Sequence, residues 1–265
     1  MNWSTRQEAM LEAMGLRLWQ RQPKVIEVLD EAPAPRVPAK ASPPAPTRAP
    51  IVAPTVAPAL ERPVNLPPSQ PPSTVSSLDW TGLREAVSGC QACKLCEGRT
   101  QTVFGVGHER AHWMVVGEAP GEQEDLQGEP FVGTAGRLLD SMLRAISLSR
   151  GAAAPEQSVY IANTLKCRPP RNRNPEPEEL ARCEPFLLRQ IELVQPRIIL
   201  AMGRFAVQSL LRSSEPIGRL RGRVHHFHGV PLIVTYHPAY LLRNLTDKAR
   251  AWEDLCLALD TLQST

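Results

Sequence analysis

The sequence predicts an α/β fold, a four-stranded parallel sheet flanked by helices, set behind a long proline-rich tract. Three observations carry that expectation. Four short apolar runs, at residues 113–116, 159–162, 198–201 and 232–235, alternate with helical patterns at 135–146, 178–194 and 205–211, the order expected when strands lie parallel and helices return the chain. The first run stops at a Gly/Pro-rich loop, Gly117-Glu118-Ala119-Pro120-Gly121, and in open α/β sheets ligands bind where strands end in such loops. Residues 31–72 hold 14 of the 27 prolines and no Cys, Gly, Phe, Tyr or Trp. Such a segment buries too little apolar surface to offset its ordering entropy.

In chain order, residues 4–20 read as an amphipathic helix. Ser4 or Thr5 caps it, Gln7 and Glu8 follow three residues on, and Leu11, Met14 and Leu18 share a face. Residues 1–22 are therefore expected to be a helix, and 23–76 a disordered Pro/Ala-rich linker. On such a tether the helix is either a docking peptide for a replication or repair protein or an element packed on its own domain. Residues 77–265 form the globular domain. A short helix at 79–87 leads into Cys90-Gln91-Ala92-Cys93-Lys94-Leu95-Cys96. The chain closes with a helix at 246–262, in which Trp252, Leu255, Cys256, Leu259 and Leu262 form the core-facing stripe.

Composition limits the classes further. Residues 1–8 lack the apolar core of a signal peptide, and no apolar run approaches the ~18 residues needed to span a bilayer. A cytoplasmic monomer is expected, without membrane contact, and in a reducing compartment six cysteines are ligands or buried thiols rather than disulfides. The net charge of +3 does not by itself require nucleic acid. Its distribution says more: residues 166–173 hold four basic side chains and no acid, and 219–228 hold three arginines and three histidines. These are either contacts to a phosphate backbone or solvated loop charge.

Cys90 and Cys93 form a C-x-x-C pair, and Cys167 and Cys183 follow far downstream. Four thiolates so placed suit either an iron–sulfur cluster or a structural zinc, and Cys96 supplies a further thiol beside the pair. At the carboxyl ends of three of the strands stand Glu118, Asn163 and His237.

Gly117-Glu118-Ala119-Pro120-Gly121 with Pro130-Phe131-Val132-Gly133, residues 163–170, and His237-Pro238-Ala239-Tyr240-Leu241-Leu242-Arg243, together with the four cysteines, resemble the family 4 uracil-DNA glycosylases. The resemblance covers residue 90 to the C-terminus. It implies a [4Fe-4S] cluster on Cys90, Cys93, Cys167 and Cys183, and cleavage of the N-glycosidic bond of uracil in DNA. It further implies that Phe131 stacks on a flipped uracil, with Gly117 and Ala119 beside it. Asn163 would read the Watson–Crick edge, His237 would donate to uracil O2, and Glu118 would face the sugar. Lys166, Arg168, Leu241 and Arg243 would contact DNA. Ala119 stands where family 1 enzymes carry a water-directing Asp, and Gly121 where they carry the Tyr that excludes thymine. Residues 166–173 contain no His, which argues against the superfamily members that trap uracil-DNA covalently. A DNA-binding module without catalysis, stabilised by its cluster, would need the basic loops but not Glu118, Asn163 and His237 together.

The Met14-Gly15-Leu16-Arg17-Leu18-Trp19 segment resembles the N-terminal peptide of the psi subunit of the bacterial clamp loader.

Overall fold

The central strands read as unbroken apolar runs because alternate residues feed two different cores. The computed structural model describes residues 75–151 and 154–264; the expected N-terminal helix and the linker up to residue 74 lie outside the described residues. Six strands form one sheet: β1 (Val106–Gly107), β2 (Trp113–Gly117), β3 (Val159–Asn163), β4 (Ile198–Met202), β5 (Val224–Phe227) and β6 (Val230–Thr235), in the order β1-β3-β2-β4-β6-β5. β2 pairs in parallel with β3 and β4, and β4 with β6. β1 and β5 add antiparallel edges. The sheet is thus mixed and six-stranded, not the four-stranded parallel sheet expected. β1 is only two residues long, and β5 is Val-His-His-Phe, which reads as a basic loop. Its hairpin turns on His228 and Gly229, with φ of 48° and 85°; two successive positive values are the mark of a tight turn matched to strand twist.

The helices are α1 (Trp80–Ser88), α2 (Leu95–Gly98), α3 (Glu122–Gln127), α4 (Thr134–Ala145), α5 (Pro177–Val194), α6 (Arg204–Leu211), α7 (Ile217–Leu220), α8 (Pro238–Leu241) and α9 (Lys248–Gln263). On one face of the sheet Val115, Ile161, Leu200 and Ile233 pack with Leu139, Met142 and Leu143 of α4 and Trp252 and Leu255 of α9. On the other, Val116, Ala162, Ala201 and Val234 meet Leu187, Ile191 and Val194 of α5 and Val207 and Leu210 of α6. Each fully buried Leu, Ile or Val in these layers contributes roughly 1.5–3 kcal/mol.

The start of the domain lies slightly earlier than residue 77. Val75 is 3% exposed and packs with Leu83, Val87, Phe104 and Phe186. Asp79 caps α1, its carboxylate accepting from the Gly82 N–H at 2.8 Å. β2 lies between β3 and β4, so successive connections leave it in opposite directions and open a crevice at its carboxyl end.

Candidate active site

Gly117 and Asn163 are partners on the last rung between β2 and β3. Pairing continues past the strands, with the Thr164 N–H donating to the Gly117 carbonyl at 3.0 Å and the Leu165 N–H to the Glu118 carbonyl at 3.1 Å. The Thr164 hydroxyl donates to the same Glu118 carbonyl. The Glu118 backbone is therefore fixed by the neighbouring strand. Its half-buried carboxyl is pushed up to about 7, chiefly by burial, against the opposing pull of the Arg204 guanidinium at the start of α6.

Asn163 is 2% exposed, and its Oδ1 has no hydrogen-bond partner among the described residues. Leaving such an acceptor unpaired costs roughly 1–3 kcal/mol, so it marks a place where a donor is missing. A Cβ on Gly117 would lie 2.4 Å from that oxygen and 2.7 Å from the Phe131 ring. Glycine is what lets the ring and the carboxamide meet over the strand end. Phe131 in turn stacks on His237, with ring centroids 5.3 Å apart and planes at 28°. Gly117, Phe131, Asn163 and His237 thus form one contiguous cluster. Phe131 holds φ at 56°, a left-handed conformation costing about 1–3 kcal/mol for a residue of this kind.

His237 caps α8, and its Nδ1 accepts from the Ala239 N–H at 3.1 Å. An accepting Nδ1 leaves the ring proton of the neutral imidazole on Nε2, so Nε2 is a donor. Burial drives the pKa down to about 4, with Glu124 pushing it up and Arg243 pushing it down. The ring is a neutral N–H donor near pH 7.

The other expected contacts divide. Lys166 is not a surface phosphate contact: it is 2% exposed, and its ammonium donates to the Asn163 carbonyl at 2.9 Å and to Gln190 Oε1 at 2.6 Å. Leu241 is fully buried against the core, so it cannot enter a duplex. Its neighbours Leu242 and Leu245 are 38% and 55% exposed. The pattern Leu241-Leu242-Arg243 does not say which leucine turns outward, because α8 is a single turn. Arg243 is exposed; Arg168 is partly exposed, with Nε on Asn172 Oδ1 at 2.8 Å. Ala119 packs against Leu95, Leu165 and Cys167, tying the loop to the thiols. Three residues near the pocket escaped sequence reasoning: Arg204, Glu124 and Arg150. The only sequence signal for Arg204 is its position directly after the third parallel strand end.

Cys90, Cys93, Cys167 and Cys183 line one common space with Cys96, walled by Val87, Leu95, Leu165 and Phe186. Cys90 interacts electrostatically with Cys93, Cys167 and Cys183. Among the described residues, no three His, Cys, Asp or Glu side chains are grouped to hold a single metal ion. Burial pushes the Cys183 thiol up to about 12, with the Lys166 cation pulling the other way. One cation nevertheless contacts these sulfurs: Arg99 donates to Cys167 Sγ at 3.2 Å, and the Lys166 backbone N–H donates to Cys183 Sγ at 3.2 Å. The Lys166 ammonium is pushed down to about 8 by burial, with Cys183 and Cys167 acting in the opposite direction. Sulfurs are the donors that an iron–sulfur cluster or a structural zinc takes, and four of them facing one apolar-walled space fit such a group.

This constellation on an α/β sheet defines a class, and similarity to known proteins agrees with it. Residues 104–256 match the family model described as the uracil DNA glycosylase superfamily. The type-4 uracil-DNA glycosylase of Archaeoglobus fulgidus is 45% identical over 168 residues, which cover 60% of this chain and 81% of that protein. Those of Saccharolobus solfataricus and Thermotoga maritima are 40% and 44% identical, covering 69% and 63% of this chain and 86% and 84% of their own lengths. The chain belongs to the uracil-DNA glycosylase superfamily and, within it, to the type-4 enzymes.

Proposed function

We propose that this chain excises uracil from DNA, hydrolysing its N-glycosidic bond and leaving an abasic site for base excision repair. The observation that carries this reading is the buried Oδ1 of Asn163, an acceptor without a donor beside an aromatic ring. Uracil flipped from the duplex brings the missing donor, its N3–H, while the carboxamide N–H meets O4. Cytosine presents the opposite order and leaves two groups unpaired. Phe131 stacks on the base. His237 donates from Nε2 to O2 as negative charge builds on the departing base, an interaction stronger in the transition state than in the ground state. Glu118, when ionised, stabilises the positive sugar or holds the attacking water.

Cys90, Cys93, Cys167 and Cys183 would hold a [4Fe-4S] cluster, whose contribution is to cross-link the segment before β1 to the loop after β3 and to α5. Arg168, Arg204 and Arg243 supply positive charge for the phosphate backbone, with Leu242 as the exposed apolar side chain at the duplex. Residues 1–22 serve as a tethered docking peptide for a replication or repair protein, on a cytoplasmic monomer. No helix of the described residues is long and apolar enough to cross a membrane.

The test is cleavage of a single-uracil oligonucleotide by the wild type beside Asn163→Ala and His237→Ala, with alkali revealing abasic sites. A loss of at least about tenfold in each variant, or ~1.4 kcal/mol of transition-state stabilisation, is expected. No turnover by iron-loaded wild type sinks the assignment and leaves a DNA-binding module.

A further inference from the structure

Phe131 has a backbone conformation that its own sequence disfavours, and the groups that enforce it come from three places. Arg150 donates from one guanidinium nitrogen to the Pro130 carbonyl at 2.9 Å and from another to the Phe131 carbonyl at 3.2 Å. Asp140 of α4 holds the same guanidinium, accepting from its Nε at 2.9 Å and lying 2.7 Å from a terminal nitrogen. On the residues that follow Phe131, one oxygen of Glu124 accepts from the Val132 and Gly133 N–H groups at 3.2 and 3.3 Å, and the other accepts from the Gly121 N–H at 3.1 Å. Glu124 therefore joins the loop that follows β2 to the loop that carries the ring. Below, a Cβ on Gly136 would lie 1.7 Å from the Phe131 carbonyl oxygen, so α4 approaches the same peptide without a side chain between them.

We propose that Arg150, oriented by Asp140, and Glu124 are positioning residues that grip the peptides on either side of Phe131 and so fix the face on which the base stacks. The inference rests on the proposed stacking role of Phe131. A planar guanidinium reaches two carbonyls and a carboxylate at once, whereas the ammonium of a lysine cannot reproduce that fork. Arg150 acts through the ring, whereas Glu124 also bears on the charge of His237 and so has a second route to the site.

A double-mutant cycle isolates that effect. Single-turnover base release, KM for uracil-DNA and inhibition by free uracil are measured for Arg150→Met, Arg150→Lys, Glu124→Gln and Phe131→Ala. Arg150→Met and Glu124→Gln are then repeated on the Phe131→Ala background. Arg150→Met is expected to slow base release about tenfold, to weaken inhibition by uracil and to leave KM for DNA within about twofold. Arg150→Lys should match it rather than restore the rate. Once Phe131 is alanine, the effect of Arg150→Met should shrink to less than about twofold, while Glu124→Gln keeps the part that acts on His237. Equal losses on both backgrounds overturn the clamp, since the residues would then act on the fold at large. Full activity of Phe131→Ala overturns instead the stacking role on which the clamp rests. If Arg150→Met does not fold, Asp140→Asn, which loosens the same guanidinium, completes the cycle.

Discussion

Burial moves Glu118 and His237 in opposite directions for one reason: both neutral forms are favoured. Glu118 rises from 4.5 to about 7. Between those values the unfolded chain has lost a proton that the folded one keeps, so Glu118 lowers stability as pH rises through that window. His237 falls from 6.5 to about 4. There the unfolded chain gains a proton first, and stability falls as pH drops. The two effects oppose one another between pH 4.5 and 6.5. For catalysis they act together, since Glu118 must lose its proton and His237 must stay neutral. We expect kcat/KM to rise with pH through a single limb near 7, with no second limb down to about pH 5. Glu118→Gln should flatten that limb, and a limb that persists in this variant assigns it elsewhere.

Lys166 gives a second expectation at this scale. In cluster-loaded protein, Lys166→Met removes a buried cation from the neighbourhood of the thiolates together with its hydrogen bonds to the Asn163 carbonyl and Gln190, and should lower Tm. In iron-free protein the same change removes a buried charge that no thiolate offsets, and should cost less or be stabilising. Melting temperatures of both variants in both states read the sign, and a loss of the same size in both refutes the counter-ion role.

Among the elements, the parallel strands were legible and the edges were not. Residues 159–162 are apolar because both sides of β3 are covered, whereas β5 exposes Val224 and His226, and only its pairing with β6 makes it a strand. The turn that joins β5 to β6 depends on Gly229, which stands at φ 85° where an added Cβ would meet nothing within 4 Å among the described residues. Gly229→Ala should therefore cost only the backbone strain, roughly 1–2 kcal/mol, seen as a fall of a few degrees in Tm without loss of activity. Gly136→Ala is the converse, because α4 there meets the Phe131 carbonyl. It should cripple base release while DNA binding survives, and an active Gly136→Ala enzyme would show that the approach of α4 to Phe131 is dispensable. Helix α8 explains the misplaced leucine: in a single turn Leu241 faces the core and Leu242 faces out, a choice set by packing rather than by pattern.

At the scale of the molecule, the domain holds its own core from Val75 onward. A chain beginning at residue 73 should cleave short uracil oligonucleotides at the full rate. One beginning at residue 77 loses the buried Val75 and should melt lower, by about 2–4 °C for each ~1 kcal/mol lost. A large activity defect in the chain beginning at 73 would mean that residues before it belong to the catalytic fold.

The sequence by itself determined the alternation of strands and helices and placed Glu118, Asn163 and His237 at strand ends, because these depend on residue type and local spacing, while the roles proposed for those three and for the cysteines came from a family resemblance. Tertiary structure alone decided the rest. It turned Lys166 inward, since its neighbours Cys167 and Cys183 and the Asn163 carbonyl converge only when β3 and α5 pack together. It added the two edge strands, whose residues are strand-like only by pairing. It also brought Arg150 and Glu124 to either side of Phe131, from positions whose shared purpose no local pattern records. Periodicity is written along the chain, but a hydrogen-bond partner far along the chain is chosen only when the chain closes on itself.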